Sequence, residues 1–137
     1  MPTLARLAVV ALAALSAAGC RSLDTARPAI EPAAGASTLA EPVGTREFTL
    51  RASAGTGYDW TATSSDPAVA SIGEVRRKDL SGPGGYGGRP VGGPMEWIFP
   101  VTFHRPGTAT LRFQLARPWE KDAPPADLRT VNVTVGP

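Results

Sequence analysis

Side chains able to do covalent or metal chemistry are scarce in this sequence. The 137 residues include one histidine, His104, and one cysteine, Cys20. A Ser-His-Asp constellation needs its nucleophile raised on an elbow such as Gly-x-Ser-x-Gly, and no such element is present. His104 precedes Arg-Pro-Gly-Thr, the composition of a strand-to-turn junction. It reads as a packed or solvated histidine rather than a general base. One histidine and one cysteine make no N/S metal set, so neither metal nor cofactor is expected. The carboxylates Asp122 and Asp127 sit in a loop and read as keeping it soluble. The stretch GPGGYG, Gly82 to Gly87, satisfies G-x-G-x-x-G. A dinucleotide site needs that loop to follow a strand and open a helix, whereas this tract runs on into GRPVGGP. The match is compositional, and enzyme activity is the least supported class.

Binding is a better use for the residues that remain. Three loops stand out: SAGTGYDW at 53–60, LSGPGGYGGRPVGGP at 80–94, and ARPWE at 116–120. The third ends a strand pattern with Trp119 rather than with a small turn-former. Two readings of Trp119 stand, an anchor for a partner's surface or a ring folded back over the domain as core.

The elements that must hold these loops are strands. EFTLRA, EWIFPVTF, TATLRFQL and LRTVNVTV each alternate apolar and polar residues with period 2, the mark of a half-buried strand. YDWTAT and AVASIGEV are two shorter candidates, separated by the turn signal SSDP. Pro100 inside its pattern predicts an edge or a bulge. No segment has helical periodicity. Short strands joined by Gly/Pro/Asp loops predict an all-β, Ig-like antiparallel β-sandwich.

In this order and at these separations the loops resemble those of the chagasin family, inhibitors of papain-like cysteine peptidases. That family carries N-P-T-T-G-[YF], G-x-G-G and R-P-W in three successive loops. Arg117, Pro118 and Trp119 match the third motif completely, and Thr56, Gly57 and Tyr58 match the end of the first. Trp60 fits the aromatic that follows, while Ser53, Ala54 and Gly55 replace Asn, Pro and Thr. In the glycine tract Gly85–Gly88 fits literally, but the distance to the next strand favours Gly92 and Gly93. The resemblance covers roughly residues 43–135. It implies a reversible inhibitor, a monomer whose partner is a papain-like cysteine peptidase, with the three loops forming one wedge. It also implies that the glycine tract is central, with the other two loops on its flanks. SSDPAVASIG separately resembles a bacterial Ig-like surface module, which would serve as a spacer or adhesin. A retained scaffold whose loops bind some other protein is a third reading.

The N-terminus reads as an address. Arg6, the apolar run LAVVALAALSAA and the small residues before Cys20 have the order of a secretory signal. LSAAGC resembles a bacterial lipobox, which implies cleavage before Cys20 and lipid on its sulfur and amino group. Ordinary signal cleavage beside an incidental cysteine is the alternative. Arg21 after Cys20 is similar to outer-membrane sorting patterns. The expectation is an exported protein lipid-anchored to a bacterial membrane, with residues 1–19 as signal, 20–42 as an Ala/Pro-rich linker, and 43–137 as the domain. A single cysteine allows no intrachain disulfide. Without Arg6 the chain keeps 13 basic and 12 acidic residues, which gives no basic patch for nucleic acid.

Overall fold

The computed structural model describes residues 27–82 and 92–137. They form eight strands: β1 (Gly35–Pro42), β2 (Gly44–Ser53), β3 (Asp59–Ser64), β4 (Ala70–Ile72), β5 (Arg76–Asp79), β6 (Pro94–Phe103), β7 (Gly107–Ala116) and β8 (Asp127–Gly136). One sheet has the order β1-β8-β7-β3; the other has β2-β6-β4, with β5 also paired to β6. Every pairing between strands is antiparallel except β1 with β8, which is parallel.

The period-2 alternation in the sequence is the alternation of burial in the structure. Phe48 and Leu50 of β2, Trp97, Phe99, Val101 and Phe103 of β6, and Leu111 and Phe113 of β7 all point inward. Val131, Val133 and Val135 of β8 join them. Phe113 lies between two rings of the facing sheet, 5.6 Å from Phe48 and 5.4 Å edge-on to Phe99. Removing a fully buried Phe or Leu side chain from water is worth about 1.5–3 kcal/mol, so this double layer is the main source of stability.

Pro100 sits neither at an edge nor at a bulge. It pairs with Glu47 of β2 on one side, and on the other its carbonyl accepts from Gly73 N at 2.7 Å. That second side is the gap between β4 and β5, so the missing proline N–H removes no ladder bond there.

The expected linker 20–42 is corrected over its described part. Gly35–Pro42 is a strand in register with β8, from Gly35 opposite Arg129 to Pro42 opposite Gly136. Upstream, Ile30 forms a parallel bridge with Phe48. Small side chains hide this segment from a periodicity reading, because Leu39 is the only large apolar residue in GASTLAEP. Backbone hydrogen bonds hold it rather than a continuous apolar stripe. Glu41, only 5% exposed, closes the segment through ion pairs with Arg27 at 2.8 Å and Arg46 at 3.7 Å. A chain begun at Val43 should therefore lose on the order of 2–3 kcal/mol, from the partial burial of Ile30 and Leu39. Thermal unfolding of the two chains checks this; equal melting temperatures would restore the linker reading.

Strand directions sort the connections between two poles. At one pole lie the β2–β3 loop, Gly92 and Gly93 just before β6, and the β7–β8 loop. At the other lie the β1–β2 turn at Val43, the β3–β4 turn and the β6–β7 turn.

Candidate functional site: three loops at one pole

The β2–β3 loop, residues 54–58, leaves a ten-residue strand and must reverse within a few residues. Gly55 and Gly57 make this possible with φ of +79° and +77°, values costly for residues with a Cβ. Thr56 Oγ1 donates to Ser53 O at 3.0 Å and closes the loop on itself. On one flank Ala54 N donates to Gly93 O at 2.8 Å. Gly92, at φ +82°, lies so close that a Cβ there would stand 3.1 Å from Ala54 O.

On the other flank Arg117 Nε donates to Thr56 O at 3.2 Å, and its guanidinium lies 4.5 Å from the Tyr58 ring centroid. Arg117 Nη1 also donates to Glu120 Oε1 at 3.0 Å, and that hydrogen bond is the main cause raising its pKa above the ordinary guanidinium value. The planar fork thus ties the third loop to the first at two angles, which a lysine cannot reproduce. Trp119 lies over Gly57: a Cβ at Gly57 would come 2.3 Å from the indole Cη2. Trp119 nevertheless stays 66% exposed, so the core reading of this ring is excluded.

The expected site residues Thr56, Gly57, Tyr58, Gly92, Gly93, Arg117, Pro118 and Trp119 are therefore one continuous cluster. Their arrangement corrects the expected order. The first loop touches Gly92 and Gly93 on one side and Arg117 and Trp119 on the other, so it is central. The described end of the glycine tract is a flank. The alternative glycines 85–88 and Cys20, the expected lipidation residue, lie outside the described residues.

Sequence reasoning missed a brace under the first loop. Trp97 Nε1 donates to Asp59 Oδ1 at 2.6 Å, and Arg77 Nη2 donates to Asp59 Oδ2 at 2.7 Å. The carboxylate thereby ties the loop's outgoing stem to β6 and β5. The available signal was a carboxylate wedged between Tyr58 and Trp60, though its partners are distant in sequence. Trp60 is core, 3% exposed, with its Nε1 donating to Arg51 O at 3.2 Å. His104 lies at the opposite pole, with Nε2 2.6 Å from Ser71 Oγ, away from every loop above.

An Ig-like sandwich that gathers three glycine- and aromatic-bearing loops at one pole is a protein that binds by its loops. A family model described as chagasin family peptidase inhibitor I42 matches residues 44–135, and the chain belongs to that family of inhibitors rather than enzymes. Among solved structures it is similar to the cysteine protease inhibitor EhICP2 from Entamoeba histolytica, at 26% identity and TM-score 0.62, over 75% of this chain and 88% of that one. PbICP-C, solved in complex with falcipain-2, shares the fold at 18% identity and TM-score 0.56, covering 80% of this chain and 95% of that one. Amebosin shares it at 18% identity and TM-score 0.52, covering 80% and 100% respectively. No curated protein sequence matches the chain.

Proposed function

We propose that this protein inhibits papain-like cysteine peptidases reversibly, by inserting the three-loop wedge into the active-site cleft. The observation that carries the reading is that one loop touches Gly92-Gly93 through Ala54 and Gly55 and touches Arg117 and Trp119 through Thr56, Gly57 and Tyr58, all at one pole. It agrees with the cysteine protease inhibitor among its structural relatives and with the peptidase complex formed by another. At the apex Gly57 has no side chain, so backbone can approach a catalytic thiol in a narrow cleft. Trp119 and Tyr58 offer rigid apolar surface beside it, with few rotatable bonds to freeze on docking. The wedge needs no bond to the catalytic sulfur, so activity should return on dilution. Purified protein titrated against papain and cathepsin L should suppress both as a monomer, without metal or cofactor. Full activity of both enzymes at large molar excess would leave the surface-module reading in its place.

We further infer that the protein is exported and lipid-anchored through Cys20, on the strength of the signal-like order of residues 1–19 and the lipobox-like LSAAGC. Mass spectrometry of the native N-terminus should find Cys20 acylated, and Cys20→Ala should leave an unprocessed precursor. A native N-terminus without lipid would overturn the anchor.

A further inference from the structure

We propose that the chain leaves the domain at the pole opposite the wedge, so that a membrane holding its N-terminus presents the wedge outward to soluble peptidases. The membrane part of this rests on lipid attachment at Cys20; the direction of exit rests on hydrogen bonds. Ile30 N donates to Glu47 O at 2.9 Å, and Thr49 N donates to Ile30 O at 2.8 Å. This bridge to Phe48 is parallel. Because β2 runs from Gly44 toward the wedge, residues before Ile30 must run back toward Gly44.

Arg27 is found there. Its Nη1 is 2.8 Å from Glu41 Oε2, near the end of β1, and Glu41 Oε1 is 3.7 Å from Arg46 Nε. The Glu41 carboxylate is nearly dry, at 4% side-chain exposure, so releasing Arg27 would leave it with Arg46 alone among the described residues, a costly change for a buried charge. Beyond Ile30 the chain passes Arg129, whose Nη1 donates to Pro32 O at 2.7 Å, and enters β1 at the wedge end. β1 then returns to the far pole. The domain is thus held along its length by two passes of the N-terminal segment, and its exit direction is fixed by the Arg27–Glu41–Arg46 clasp rather than by a swivel.

The dimensions suit a standing inhibitor. Seven peptide steps separate Cys20 from Arg27, a reach of at most about 25 Å when extended. Ten-residue strands put the wedge about 30 Å beyond the clasp. A lipid surface at Cys20 therefore meets the pole of Val43 and His104 first, while Gly57 and Trp119 face the aqueous side.

Three attachment points test this. The chain from Cys20 onward carries every described strand and core residue, and Cys20 is its only thiol. It is coupled to phosphatidylcholine vesicles bearing a maleimide lipid, with excess maleimide quenched before papain is added outside. Each protein's inhibition constant free in solution is its own reference. Attachment through Cys20 should leave inhibition unchanged, as should Cys20→Ser with Arg105→Cys, which attaches at the same pole. Cys20→Ser with Asp122→Cys attaches beside the wedge and should weaken inhibition at least about tenfold. The acylation rate of exposed Lys121 by a water-soluble reagent reads the same geometry without a peptidase. It should be unchanged through Cys20 and slowed through position 122. Equal behaviour of Cys20 and position-122 attachment in both readouts, or the reverse ranking, would overturn the proposal. The coupling is chemical, so native lipidation stands or falls separately on the mass of the N-terminus, and peptidase inhibition on the free-solution titration.

Discussion

Replacing Trp119 by alanine is expected to leave the fold intact and to weaken papain inhibition by at least about tenfold. The first half follows from exposure. The indole is 66% exposed, and it lies over Gly57 rather than in the core. Exposed substitutions of this kind usually stay within about 1 kcal/mol. Deleting a buried Trp would instead cost about 3–5 kcal/mol. The second half follows from what the indole can do on a partner. A tryptophan desolvated at an interface commonly contributes more than about 2 kcal/mol on truncation, and each 1.4 kcal/mol is a factor of about ten in the inhibition constant. Arg117 steadies the loop from below, through Thr56 O and Glu120, and Pro118 stiffens the step between them. The ring is therefore held in place before it docks. Melting temperature and inhibition constant measured on one variant separate the possibilities. A variant that melts much lower yet inhibits normally while folded would sink the anchor role.

How much of this was legible beforehand depends on which residues carry the signal. Strands β2, β6, β7 and β8 announce themselves because large apolar side chains alternate with Thr, Arg and Glu, and every inward position in those runs from Phe48 to Val135 points where the pattern places it. β1 is silent because its pairing with β8 is made by backbone, with Ala36, Thr38 and Ala40 facing out and Leu39 its one large apolar residue. The buried Glu41 looks like a linker residue until Arg27 and Arg46 are seen around it. Among the loops, Arg117-Pro118-Trp119 is recognisable as a short unbroken motif. The order across the wedge is not, because it depends on β2 pairing with β6 and β3 with β7, contacts made between residues far apart in sequence. That long-range pairing puts Gly93 beside Ala54 and Arg117 beside Thr56, and makes the first loop the middle one. Asp59 was missed for the same reason, since Arg77 and Trp97 reach it from 18 and 38 residues away.

Gly57→Ala should damage inhibition at least as much as losing Trp119, with a stability loss of only about 1–2 kcal/mol, the usual cost of a left-handed conformation for a residue with a Cβ. Gly57 sits at φ +77°, and its added methyl would lie 2.3 Å from Cη2 and 3.0 Å from Cζ2 of Trp119. Something must move. The exposed ring is the cheapest part to displace, so the indole leaves its docking position while the core stays packed. The loop apex also gains bulk at the point proposed to enter the cleft. A double-mutant cycle isolates the first effect. With Trp119→Ala already in place, the added methyl has no neighbour to collide with, because the three atoms nearest to it, out to 3.5 Å, all belong to that indole. The combined loss of inhibition should then be smaller than the sum of the two single losses, by a coupling of at least about 0.5 kcal/mol. Strict additivity would mean that Gly57 and Trp119 act on the peptidase independently, and the packing of one on the other would drop out of the account of how the wedge is built.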